Sequence, residues 1–465
     1  MNKASAMKSA KMHYADGHLK AAIAKRISYK TESQVPEQAA VLRAYLKNEL
    51  EAVLNRLGFT CHIVENPIQG KPPFLFAERH EGDELLTVLT YGHGDVVRGY
   101  DDQWSDNIDP WTLSVKGDKW YGRGTADNKG QHSINLAALE TVINTRNGRL
   151  GYNVKCLFEA GEEIGSPGLR KYCELNADQL KSDVFIASDG PRLSAGQPTI
   201  FLGSRGSVLF ELSINLRSGG LHSGNWGGLM RNPATILANA LASMIDKNGR
   251  IQVADLLPPP MSPSVKQALG KLAITDELMG LPIDTEWGEP SLSSAEKLLG
   301  WNTLEILAFT SGNPANPVNA IPPHAKAFCQ LRFVVGTRWQ ELETILTTHL
   351  DQHGFSSVDI QIQRGTAATR LDPDNVWVRW AEQSMKSAVN QAIAILPNLG
   401  GTLPNDVFAD VLGLPTLWIP HSYPGCAQHA ANEHMLGSIA EEGMQIMTSL
   451  FWDLGEFDRD RLRKS

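Results

Sequence analysis

The chain predicts an α/β fold that carries a smaller inserted α+β domain, and three observations predict it. Short apolar runs that read as buried strands alternate with segments of helical period. Between about 204 and 370 the texture changes to the partial period-two alternation of half-exposed antiparallel strands. No internal repeat or low-complexity tract interrupts either part. At 465 residues the chain is too long for one core. The expected division is 1–203 for the first part of the larger domain, 204–370 for the insert and 371–465 for the second part.

Residues 36–57 carry apolar side chains at helical spacing (Ala40, Leu42, Tyr45, Leu46, Leu50, Val53, Leu54, Leu57) and stop at Gly58, a suitable C-terminal cap. The candidate buried strands follow at 85–90, 154–158, 184–187 and 416–419, each apolar and each ending in polar or charged residues. In the insert, 208–216 and 325–333 alternate, and 233–245 and 339–353 read as helices. A long excursion, 256–300, opens with three prolines and has no role assigned by its composition. In open α/β sheets ligands collect beyond the carboxyl ends of the strands, and His93, Glu162, Glu163 and Asp189 all fall there.

Composition narrows the partners. A content of 42% hydrophobic and 20% charged residues is that of an ordinary soluble protein. The net charge of -8 offers nucleic acid and anionic membranes no long-range attraction, so neither partner is expected. Five cysteines, odd in number and without a Cys-x-x-Cys pair, suggest neither a disulfide framework nor a thiolate zinc knuckle, and fit a reducing compartment. With no apolar stretch after the N-terminal lysines and no run of about eighteen apolar residues, a cytoplasmic protein is expected.

The chemistry starts at His93-Gly94-Asp95. A histidine at the end of a buried strand, with a carboxylate two residues on to hold its second ring nitrogen, presents an imidazole to a metal. Asp127, the pair Glu162-Glu163, Asp189 and His429 follow at later positions. Each piece has an ordinary reading when taken alone. His-x-Asp serves as a strand-end turn, clustered acids suit a solvated loop or a helix N-terminus, and Asp189-Gly190-Pro191 is turn chemistry. Together they form an oxygen- and nitrogen-rich set without thiolate. Two divalent cations against three carboxylates and two neutral imidazoles leave a net charge of +1, which favours a bound hydroxide. Such a set suits zinc, with manganese or cobalt as alternatives, and one carboxylate such as Asp127 can bridge two ions. If Glu163 binds metal, the adjacent Glu162 faces elsewhere and is free to move a proton.

From about Leu86 to about Gly437, in this order, these motifs resemble the M20 family of metallopeptidases and amidohydrolases, which includes dipeptidases, acetylornithine deacetylase and succinyl-diaminopimelate desuccinylase. The resemblance implies a metal-bearing α/β catalytic domain with an inserted α+β lid that mediates dimerisation. It implies two divalent ions per subunit, one held by His93 and Asp189, the other by Glu163 and His429, with Asp127 between them. Asp95 would orient His93, and Glu162 would be the general base. In the insert, His222 of Leu221-His222-Ser223-Gly224 looks like the family histidine, commonly given by the partner subunit, that steadies the oxyanion. Asn319-Ala320-Ile321-Pro322 followed by Arg332 resembles the dipeptidase pattern in which the arginine holds the substrate carboxylate. Gly401 and Thr402, in Gly400-Gly401-Thr402-Leu403-Pro404, match the segment that completes that pocket. His132, His324 and His353 read as surface or packing positions, and the His-x-x-Asn-Glu pattern selects His429 over His434.

The function so implied is a dinuclear metallohydrolase that cleaves an amide bond next to a free carboxylate, as a dipeptidase or short-peptide peptidase acting as a homodimer. An N-acyl-amino-acid deacylase built on the same machinery is the alternative within the family. A catalytically silent binding protein on the same fold is the alternative from another class.

Overall fold

The computed structural model describes residues 2–458. Its chain divides into two compact units, one of 1–203, 371–396 and 404–465, the other of 204–370 and 397–403.

The first unit is built on an eight-stranded mixed sheet. Its order is Thr60–Val64, Phe74–Arg79, Asn153–Glu159, Thr87–His93, Val184–Ala187, Thr416–Trp418, Thr199–Phe201 and Ala394–Leu396. The four central strands, from Asn153–Glu159 to Thr416–Trp418, run parallel. Strands covered on both faces read as continuous apolar runs, which is why these four were visible in the sequence. Six of the seven residues of Thr87–His93 are buried. The register sets His93 beside Glu159, so the ends of neighbouring strands deliver acid and imidazole to one edge.

Helices Lys3–Ala15, Lys129–Thr145, Val376–Val389 and Gly437–Leu454 pack into the core of this unit. Lys129–Thr145 is its central helix. All of its residues except Glu140 and Asn144 are buried, so it shows no amphipathic stripe. The span 36–57 is helical but not one regular helix: Ala39–Ala44 and Glu51–Arg56 flank a wide turn at Tyr45–Leu50. That turn buries Tyr45 and Glu49, and Gly58 ends the span with φ +79.

The second unit carries a four-stranded antiparallel sheet ordered Thr303–Ser311, His324–Phe333, Gly206–Asn215 and Asp359–Thr366. Alternate residues Val208, Phe210, Leu212 and Ile214 are buried, as are Ala325, Ala327, Cys329, Leu331 and Phe333 on the neighbouring strand. They pack with helices Pro233–Met244 and Leu342–Gln352. The other face keeps Arg332, Gln330 and Lys326 partly exposed. The excursion holds short helices, including Ser294–Leu299, which opens with a capping box between Ser293 and Glu296. Among the described residues no helix is long and apolar enough to cross a membrane.

One buried ion pair joins three helical segments of the first unit. Arg26, 3% exposed, places Nε 3.1 Å from Glu49 Oε1 and donates through Nη1 to Ser133 Oγ at 2.6 Å. Removing Glu49 strands a guanidinium in the core. Glu49→Ala is therefore expected to cost about 3–5 kcal/mol, read as a lowered denaturant midpoint; a midpoint equal to wild type would refute it.

Candidate metal centre

His93 ends its strand fully buried. Its Nε2 lies 2.9 Å from Asp127 Oδ1 and 3.7 Å from Asp189 Oδ2. Its Nδ1 lies 3.0 Å from the backbone carbonyl of Asp95 and 3.4 Å from the carboxylate of the same residue. The nearer partner is thus the carbonyl rather than the side chain that the motif suggests. The Asp95 carboxylate accepts the backbone N–H groups of Glu162 and Glu163, each at 3.1 Å. One residue therefore holds both the histidine and the turn that presents the two glutamates.

Asp127 closes the loop between Lys119–Tyr121 and Lys129–Thr145, and its peptide bond to Asn128 is cis. Its two oxygens diverge: Oδ1 faces His93, and Oδ2 faces His429 Nε2 at 3.0 Å. Glu163 Oε2 meets the same His429 nitrogen at 3.1 Å. The structure thus gathers His93, Asp127 and Asp189 into one group and Asp127, Glu163 and His429 into another, with the ligand atoms of each within 4.8 Å of one another. Gln428 also donates to Asp127 Oδ2, a contact no sequence pattern suggested.

Charge accounts for what this cluster needs. Enclosure raises Glu163, Asp189 and Glu162, and neighbouring carboxylates raise each of them further. His93 and His429 are both driven upward by hydrogen bonds to Asp127, His93 against the opposing effect of burial. Asp189 Oδ1 accepts from Gly190 N at 2.6 Å, while its Oδ2 is buried and has no hydrogen-bond partner. An orphaned carboxylate oxygen, beside two imidazoles aimed at opposite oxygens of one aspartate, fits a divalent-cation site with nitrogen and oxygen donors. Glu159, the third acid of its segment, is not in either group. Tyr91 and Ser166 donate their hydroxyls to it at 2.7 and 2.8 Å, and burial pushes it up to about 7.

Glu433 supports the loop from below. It is 1% exposed and accepts the N–H groups of Gly124, Ala126 and Asp127 together with Arg123 Nη1 at 2.7 Å. Gly124 takes φ +88, open to glycine and strained for other residues, which lets the amides of Gly124, Ala126 and Asp127 converge on one carboxylate while that of Thr125 turns to the carbonyl of Gly122. Arg123 between two glycines was the available signal, because a buried guanidinium demands a buried acid.

The remaining predicted residues lie in the second unit. Arg332 Nη1 donates to Thr402 Oγ1 at 3.2 Å, and that hydroxyl donates to the carbonyl of Arg205 at 2.9 Å, with Gly401 beside it in the turn. His222 and Asn319 meet in a short antiparallel pairing, Leu221–His222 with Ala320–Ile321, where Ser223 N donates to Asn319 O. His222 is exposed, and its Nδ1 accepts from Gly224 N at 3.1 Å, so the neutral ring carries its proton on Nε2. Of the histidines set aside, His132 is a packing residue bonded to Tyr45 at 2.7 Å, and His434 pairs with Tyr423 at 2.6 Å, outside both groups.

The profile of Peptidase family M20/M25/M40 matches residues 89–453, which span the whole cluster. The chain belongs to this family. Among similar M20 proteins, the Beta-Ala-His dipeptidase of Rattus norvegicus is 25% identical over 412 residues, covering 83% of this chain and 80% of that protein. The Cysteinylglycine-S-conjugate dipeptidase of Corynebacterium striatum is 25% identical over 392 residues, covering 81% and 82%. The crystal structure of the M20 metallo-carboxypeptidase Sso-CP2 from Sulfolobus solfataricus superposes with a TM-score of 0.78 at 24% identity, covering 94% of this chain and 99% of that one. As an M20 peptidase the protein is a divalent-metal-dependent hydrolase of peptide bonds.

Because Glu433 organises the Asp127 loop without reaching either histidine, Glu433→Ala is expected to lower metal affinity about 10- to 100-fold. Competition with a chelator, followed by metal analysis of the recovered protein, measures it, and unchanged affinity would contradict this role.

Proposed function

We propose that this M20 peptidase is a dinuclear dipeptidase, zinc-dependent and cytoplasmic, that cleaves the amide bond next to a free carboxylate. The observation that carries this reading is the division of the Asp127 carboxylate between two imidazoles, with a second acid completing each side. His93 and Asp189 would hold one ion, Glu163 and His429 the other, and Asp127 both. When bound, the ions supply Lewis-acid polarisation of the scissile carbonyl and acidify water.

The chain's own side chains do the rest. Glu162 takes the proton of the attacking water and returns it to the leaving amine, a task open to it because the adjacent Glu163, not Glu162, belongs to the ligand group. Asp95 keeps this glutamate in position by holding its backbone N–H. His222, protonated on Nε2, donates to the developing oxyanion. Arg332 holds the substrate carboxylate with the hydroxyl of Thr402, while Gly401 and Asn319 shape the turn and strand end around it. Five unpaired cysteines support the reducing cytoplasm.

The insert acts as a lid and as the homodimer contact. Its edge strand Thr303–Ser311 leaves Ile306, Leu307 and Phe309 at 43%, 56% and 41% exposure, an apolar edge that calls for a cover.

Glu162→Ala is expected to keep both metals and to lose about 10²- to 10⁴-fold in kcat; near-normal turnover at full metal occupancy would remove Glu162 from the reaction. A panel of dipeptides set against the matching N-acetyl amino acids should favour the dipeptides, and preference for the acetylated set would make the enzyme a deacylase. Phe309→Lys should shift the protein from dimer to monomer in light scattering, whereas an unaltered mass would locate the contact elsewhere.

A further inference from the structure

The second unit contains a cavity of about 550 Å³, within the size range of small-molecule sites. The excursion builds most of it: Ile274, Ile283, Trp287, Leu292 and Leu298 form apolar walls, and Arg205 and Glu305 reach it from the sheet. Two further charged groups on the wall are already engaged. Lys297 donates to the carbonyls of Thr285 and Trp287 at 3.2 and 2.7 Å, and Asp284 accepts the N–H of Glu286 at 3.2 Å.

Arg205 is different. It is 5% exposed and gives Nε to the carbonyl of Gly400 at 2.9 Å, but its Nη1 is buried and finds no acceptor. A buried charged donor left unmatched is costly, and proteins seldom retain one without a use for it. Burial, followed by the charge of Arg332, brings Arg205 down to about 10, so it remains cationic at neutral pH. Glu305 feels both guanidiniums but forms an ion pair with neither. The cavity therefore presents a guanidinium with one unmatched N–H and, at its exposed rim, a carboxylate paired with neither arginine. Trp287, 48% exposed, offers an uncovered aromatic surface there.

We propose that this cavity is a second ligand site that takes a free α-amino acid with a large apolar side chain, its carboxylate on Arg205, its ammonium on Glu305 and its side chain against Trp287, Ile283 and Leu298. An apolar acid without an amine leaves Glu305 facing like charge, and an apolar amine leaves Arg205 unmatched. Only a zwitterion with an apolar body satisfies all three. The site uses none of the residues assigned to the metal centre, and its ligand belongs to the class of molecule that dipeptide cleavage releases. Arg205 also holds the Gly400–Thr402 turn through its side chain and its carbonyl, which places the ligand next to the residues assigned to the substrate carboxylate.

The test is a ¹⁹F NMR titration of the metal-loaded, full-length protein with 4-fluoro-L-phenylalanine. Saturable binding is expected below about 10 mM, and at least about tenfold weaker binding of the N-acetylated analogue. Glu305→Gln removes the partner of the ammonium and Ile283→Trp fills the chamber; each is expected to weaken the amino acid at least about tenfold. Ile283→Trp should leave the rate of dipeptide hydrolysis unchanged. Binding that persists in both variants would place the ligand at the metal centre and overturn the proposal. Equal binding of the N-acetylated analogue, or the absence of saturation, would overturn it as well.

Discussion

Several carboxylates converge at the carboxyl edge of the parallel strands, in surroundings too enclosed for water to screen them. This crowding of like charge governs the rest of the molecule. Asp127, Glu163, Asp189 and Glu162 repel one another, and two imidazoles do not neutralise four acids. Such an arrangement persists only if the scaffold is rigid enough to resist it and if cations complete it. Both the depth of the sheet and the density of backbone hydrogen bonds around the loops serve that end.

The rigidity comes from peptide N–H groups that bind carboxylates which do not themselves face the centre. Asp95 gathers the amides of Glu162 and Glu163, and Glu433 gathers those of Gly124, Ala126 and Asp127. Each is a small anion-binding concavity formed from closely spaced backbone donors. Each uses a buried acid from a remote part of the chain to fix the conformation of a loop. The loops then need no regular secondary structure to hold their side chains in place.

The parts of this arrangement that the sequence displayed share a physical origin. Parallel strands are buried on both faces, so Val184–Ala187 and its neighbours read as apolar runs, and the polar residue that ends each run stands out. The alternation of 208–216 and 325–333 was equally plain, because one face of that sheet packs on helices and the other does not. What the sequence concealed depends on contacts between distant segments. Lys129–Thr145 is buried nearly all round and therefore lacks a stripe, and Thr199–Phe201 and Ala394–Leu396 are too short to carry a pattern. Glu433 sits four residues after His429, inside a motif that was already explained, so nothing marked its separate task. Asp95 stands out in the sequence for its carboxylate, whereas its carbonyl makes the nearer contact with His93, because backbone acceptors leave no trace in composition.

The two histidines share an aspartate yet live in different surroundings. His93 is sealed at 0% exposure, whereas the side chain of His429 is 53% exposed and rises from a turn in which its own φ is +62. Exchange with the medium is therefore asymmetric. An ion beside His429 would meet solvent directly, while one beside His93 would have to leave past its neighbour or through a local breathing of the loop. If both groups hold ions as proposed, the exposed side would follow the supply of ions in the medium long after the inner side had been settled.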